Sequence, residues 1–179
     1  MLELIFCIFS EKLPFSKINT ASNVVEESLD VGSGPQFLAE LNDEIYVART
    51  FYNDDYTEIF YGTSRISGNS IMEATHNFSA GGACGGSVMT FNNKVYRSFD
   101  GGIAEITDDL QIDESSRIGD FNQSNVYHIE LINNNIFFAL TDFSELNQLA
   151  ILNTYGDLIF TYNVGATPGD FAFWTKSYE

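Results

Sequence analysis

Basic residues are scarce in this chain: 8 Lys and Arg stand against 25 Asp and Glu in 179 residues, a formal net charge of −17. Nucleic acids and anionic membranes need a cationic footprint on their partners, so this balance excludes both as expected partners. Cysteine is rarer still, with Cys7 and Cys84 alone. Two thiols cannot staple a disulfide scaffold, and no Cys-x-x-Cys or Cys/His cluster suggests zinc. One bridge between them is left open, but each reads more simply as a small buried hydrophobe. No apolar run approaches the roughly 18–20 residues of a membrane span, so no membrane insertion is expected. Catalytic signatures are missing as well. There is no Gly-x-Ser-x-Gly elbow, no glycine loop between a strand and a helix, and only His76 and His128 to serve as imidazole bases. The run Gly81-Gly-Ala-Cys-Gly-Gly86 lacks a nearby basic partner for a cysteine nucleophile and reads as a flexible connecting loop.

What is present is core material: 44% hydrophobic and 15% aromatic residues, in a length that suits one domain. The chain also repeats itself. Phe37-Leu-Ala-Glu-Leu-Asn-Asp-Glu-Ile-Tyr-Val-Ala-Arg49, Ser87-Val-Met-Thr-Phe-Asn-Asn-Lys-Val-Tyr-Arg-Ser-Phe99 and His128-Ile-Glu-Leu-Ile-Asn-Asn-Asn-Ile-Phe-Phe-Ala-Leu140 each read as strand, Asn/Asp turn, strand. Aligned on Ile45, Val95 and Ile136, they recur at spacings of 50 and 41 residues (95 − 45 and 136 − 95). A second pair of β-rich runs follows each hairpin, such as Leu149–Asn153 and Leu158–Tyr162 around a Tyr-Gly-Asp turn.

The apolar start, Met1–Ser10, invites a signal-peptide reading. It carries Glu3 but no Lys or Arg, is short, and has no Ala-x-Ala site after it. Ile5–Glu11 instead matches Ile136–Asp142, and the step from Ile5 to Ile45 is 45 − 5 = 40 residues. It is expected to be an internal strand, with no signal peptide in this chain.

Four strands in a 40–50-residue period predict an all-β fold, a β-propeller of four-stranded antiparallel blades. One such sheet cannot cover both of its apolar faces, and radial packing covers each with a neighbour. The expected single domain, 1–179, divides into blades at roughly 32–78, 80–120 and 121–164, with a further blade split between 1–31 (strands B–D) and 165–179 (strand A, Asp170-Phe-Ala-Phe-Trp174). Joining the ends would close a four-bladed ring, remove two open edges and bury Phe171, Phe173 or Trp174, at roughly 1.5–3 kcal/mol per large side chain. The rival readings are a fragment of a larger propeller and a ring-closing homo-oligomer.

Ile18-Asn-Thr-Ala-Ser-Asn-Val-Val-Glu-Glu-Ser-Leu-Asp-Val-Gly-Ser-Gly-Pro35, followed by Ile45-Tyr-Val-Ala-Arg-Thr50, resembles the YVTN β-propeller repeat family, the YncE-like propellers; Val164-Gly-Ala-Thr-Pro168 repeats the first half. Tyr46-Val-Ala-Arg49 departs from the Tyr-Val-Thr-Asn of the family, the middle repeat lacks the Gly-x-x-Pro turn, and members usually carry about seven blades. The resemblance implies extracytoplasmic residence, in the periplasm or at the cell surface, and binding of a ligand or partner rather than catalysis.

In a propeller the B–C and D–A loops share one face. Here three B–C loops repeat an aromatic beside one or two carboxylates: Phe51–Tyr56, Phe99–Gly102 and Thr141–Glu145. Rings can stack on a sugar or planar ligand while carboxylates accept its hydroxyl protons, which makes Tyr52, Asp54, Asp55, Asp100, Asp142 and Phe143 the expected contact residues for a small ligand or protein partner. The plainer reading has the aromatics packing the blade and Asp, Asn and Gly making the turns. No cofactor is expected. Ca²⁺ is weighed at Asn53-Asp54-Asp55 and Asp108-Asp109…Asp113-Glu114, but neither matches Asp-x-Asp-x-Asp-Gly spacing, and a solvated acidic surface is the simpler account. The enzymatic alternative is a metal-dependent hydrolase or lactonase-type propeller at the channel mouth, drawing on Glu40, Glu130 and His128. Its difficulty is that Glu40 and Glu130 fall in opposite strand phases.

Overall fold

A computed structural model describes residues 15–76 and 86–174. The expected strand over Ile5–Glu11, both cysteines and most of the Gly81–Gly86 loop lie outside the described residues.

The described residues contain fourteen strands and one short 3₁₀ turn, Gln123–Asn125, with no α-helix among them. β1 (Phe15–Asn19) and β2 (Val24–Leu29) pair as a two-stranded sheet. Three four-stranded antiparallel meanders follow. They are β3 (Pro35–Leu41), β4 (Glu44–Tyr52), β5 (Ile59–Ser67) and β6 (Ser70–His76); then β7 (Val88–Phe91), β8 (Lys94–Phe99), β9 (Gly102–Ile106) and β10 (Ile112–Ile118); then β11 (Val126–Ile132), β12 (Asn135–Thr141), β13 (Asn147–Asn153) and β14 (Leu158–Asn163).

The opening hairpin of each meander turns on two residues with positive φ: Asn42 and Asp43 (53° and 63°), Asn92 and Asn93 (50° and 58°), Asn133 and Asn134 (49° and 59°). Two left-handed residues make the hairpin turn whose twist matches that of the strands. Asn and Asp tolerate that region better than any residue but glycine.

Alternation along the strands then gives each sheet two apolar faces, and the sheets stack in chain order. Phe15 and Val31 pack on Val47 and Ile66, joining the first sheet to the second. Tyr46 and Ala48 meet Val88, Val95, Ile106 and Leu110, joining the second to the third. Met89, Phe91, Tyr96 and Ile103 meet Val126, Ile129, Ile136, Phe138 and Leu140, joining the third to the fourth. Each large apolar side chain buried in these seams stabilises by about 1.5–3 kcal/mol.

The first strands of the meanders come together. β7 packs against both β3 and β11, and Phe37 of β3 reaches the His128 ring of β11, with centroids 5.0 Å apart. A register shift between Val126 and His128 resets the phase of β11. Ile129 and Leu131 therefore face the third sheet, while His128 and Glu130 lie on the other face with Phe137, the partner of Glu130. Glu40 pairs with Ile45, on the face that packs against the first sheet. The two glutamates thus occupy opposite faces of their sheets.

Two expectations need correction. Residues 170–174 form no strand: an inner strand exists only through a ladder partner, and none pairs with this segment among the described residues. It nevertheless lies along the face of the fourth sheet turned away from the third, with Phe171 5.6 Å from His128 and 5.8 Å from Phe137 between ring centroids. Phe51 and Tyr52, Phe99, and Thr141, all expected in loops, end β4, β8 and β12, because the connections start after them; Phe99 and Thr141 are buried, while Tyr52 is exposed.

Candidate functional site

The loops that join the second and third strands of each meander sit beside the links between sheets. Thr50 N–H donates to the Gly34 carbonyl (2.9 Å), Phe121 N–H to Gly101 (3.1 Å) and Val164 N–H to Asn147 (2.9 Å). Gly101, at φ 77°, lies so close to the Phe121 carbonyl that a Cβ there would collide with it. This approach of backbone to backbone requires glycine.

Local chemistry builds these loops. The Asn53 carboxamide oxygen accepts from the N–H groups of Thr57 (2.8 Å) and Glu58 (3.0 Å), and Asp55 accepts from the Thr57 hydroxyl (2.7 Å). Asp142 accepts from Ser144 N–H and Leu146 N–H, both at 2.9 Å, and these donors hold its carboxyl below the usual range. Asp100 pairs with Arg117 at 2.7 Å, and the other arm of that guanidinium takes Asp120 at 2.6 Å. Asp55, Asp100 and Asp142 are therefore committed to loop structure, while Asp54 is exposed. The acidic Asp109 and Asp113 are likewise spent on their own turns, accepting from Thr107 and Ser115.

The aromatics behave differently. Tyr52 and Tyr56 are exposed, with ring centroids 5.9 Å apart, and exposed Phe143 meets the Tyr127 ring edge-on at 5.9 Å. Tyr56 (φ 58°) and Phe143 (φ 63°) hold left-handed backbone that bulky residues rarely adopt. Their loops impose it, through Tyr56 N–H to the Asn53 carbonyl (3.0 Å) and Phe143 N–H to the Thr141 hydroxyl (3.0 Å). Among the described residues, no hydrogen bond, ion pair or ring contact links Tyr52, Asp54 and Asp55 to Asp100, or either group to Asp142 and Phe143.

Deeper, the structure brings together residues that the loop reading did not. His128 Nε2 lies 3.5 Å from Glu130 Oε2, and ligand atoms of His128, Glu130 and Asp170 all fall within 4.8 Å of one another. His128 is only 5% exposed. Burial pushes its imidazole pKa down, against the pull of Glu130 and Asp170. The alternation of β11 marks His128 and Glu130 as one-face neighbours, but nothing in the local pattern brings Asp170 to them from forty residues away.

The seam between the second and third sheets carries a second polar centre. Arg97 is fully buried and donates from Nη2 to the Arg49 carbonyl (3.1 Å), and its Nε and Nη1 find no hydrogen-bond partner among the described residues. Burial and the neighbouring Arg49 cation lower its pKa to about 9. Arg49, also buried, lies on the opposite face of β4, toward the first sheet, where it donates to the Ser33 and Ala74 carbonyls (3.5 and 3.2 Å), pairs with Glu73 (3.4 Å) and lies over the Phe51 ring. His76 bonds Thr63 at 2.9 Å, and burial with the two arginines takes its pKa down to about 4. The sequence signal for this centre was Arg97 standing between Val95 and Phe99 in the inward phase of β8. No family model and no curated protein matches this chain.

Proposed function

We propose that the chain is a propeller-type repeat protein of the YVTN kind, its four sheets acting as blades, and that it works as a non-enzymatic binding module outside the cytoplasm. Its contact surface is the loop end, where aromatics are presented for stacking and carboxylates for polar contacts. The observation that carries this reading is the pair Tyr56 and Phe143: in equivalent loops of two repeats, a large ring is held in left-handed backbone and left exposed. A fold does not expose an aromatic ring on costly backbone for its own packing. Flat, hydroxylated ligands such as sugar rings suit this surface, with the rings stacking and Asp54 free to accept hydroxyl protons. The neighbouring carboxylates hold the loops in shape.

A glycan array followed by titration of the best ligand tests the reading. Binding is expected, weakened about tenfold (about 1.4 kcal/mol) in each of Tyr56→Ala and Phe143→Ala. An array without ligands, or affinity unchanged in the double variant, would contradict it.

A further inference from the structure

We propose that His128, Glu130 and Asp170 form a site for a divalent first-row transition-metal ion, one that ties the C-terminal segment to β11. This site is separate from the loop-end contact surface and does not depend on it. Residues i and i+2 of a strand share a face, so β11 presents His128 and Glu130 as a ready pair. Asp170 completes a three-ligand set from a distant segment, with all three ligand atoms within 4.8 Å of each other. Ligands at about 2.0–2.2 Å from a shared ion stand roughly 3–4 Å apart, so a small side-chain adjustment closes the set.

A second observation points to a ligand. His128 is only 5% exposed, yet among the described residues its Nε2 makes no hydrogen bond, and neither does the buried Glu130 Oε2 beside it, 3.5 Å away. Buried polar atoms left unpartnered are costly, and two facing one another invite a shared cation. Neither carboxylate has a Lys or Arg partner among the described residues; Asp170 accepts only from the Phe171 N–H (2.8 Å). Phe37 and Phe171 flank the imidazole and lower the local dielectric, which strengthens charge interactions there. Asp170 is exposed, giving the ion a way in and leaving room for water to complete its coordination. One imidazole with two carboxylates suits Mn²⁺, Co²⁺, Fe²⁺ or Zn²⁺, whereas Ca²⁺ and Mg²⁺ prefer all-oxygen sites.

The test uses the full chain freed of metal by chelator dialysis, with Mn²⁺ as the probe because it has little affinity for the two cysteine thiols. Expected are one equivalent of Mn²⁺ bound, a raised Tm, and paramagnetic broadening of the amide signals of Glu130, Leu131, Asp170 and Phe171. Asp170→Asn, an exposed change, should keep the metal-free Tm and weaken Mn²⁺ binding at least tenfold. His128→Gln should do the same to binding, and Glu27→Gln, at an exposed position of β2, should leave Mn²⁺ binding unchanged. Absence of binding, binding equally tight in Asp170→Asn, broadening confined to other residues, or equal affinity for Ca²⁺ would each overturn the proposal.

Discussion

His76 of β6 and Arg97 of β8 meet in the seam between two sheets, and their charges oppose each other there. Burial lowers the pKa of His76 from 6.5 to about 4. Above pH 6.5 the imidazole is neutral in both the folded and the unfolded chain, and below about pH 4 it is protonated in both. Between those limits only the unfolded chain binds the proton, so stability falls as pH drops through this window. Across the whole window the loss is on the order of 3 kcal/mol. Chemical denaturation of wild type between pH 7 and pH 4.5 should show this loss, and His76→Gln should flatten most of it. An equal slope in the variant would place the titration elsewhere. At this scale the sequence was partly legible. Arg97 carries a signal that the sequence reading passed over, a charge in an inward phase between Val95 and Phe99. His76 did not, because its environment comes from Arg97 and Arg49 on other strands, which no local pattern joins.

The opening hairpins were the most legible elements. Asn-Asp or Asn-Asn between apolar strands specifies a tight turn locally, and all three such turns have both central residues at positive φ. Asn134→Gly should therefore raise Tm, since glycine fits the second turn position best. Asn134→Val should cost about 1–2 kcal/mol, the penalty for a β-branched residue in left-handed backbone. A thermal melt of both variants checks the order, and a Val variant as stable as wild type would contradict the turn assignment. The segment Asp170–Trp174 was misread as a strand for a physical reason. Its Phe171 and Phe173 alternate as a strand would, but alternation reports an apolar face and not a ladder. Phe171 finds that face on His128 and Phe137 with no backbone pairing among the described residues. The loop aromatics were legible as a recurring type of residue. Their carboxylate neighbours were not legible in role, because Asp55 and Asp142 are consumed by donors within their own loops and Asp100 by Arg117 of β10.

At the scale of the whole molecule, three seams join four sheets in chain order, and the strands that open the three meanders converge. Convergence of these opening strands curves the stack. The Phe37–His128 contact joins the second sheet directly to the fourth, so the curve is tight. The 40–50-residue repeat made this stacking legible, because each repeat carries one sheet whose two faces both need cover. The placement of the first sheet relative to the fourth was not legible in the same way, since it does not follow from any one repeat. The propeller reading requires those two sheets to be neighbours in a single chain. The most direct test is a distance measurement between spin labels on Ser28 of β2 and Thr161 of β14, in monomeric protein whose native cysteines are replaced. The propeller account predicts one narrow distribution of roughly 20 Å, about two sheet spacings. A broad distribution reaching about 40 Å, the full width expected of a domain this size, or a short distance seen only between different molecules, would contradict it.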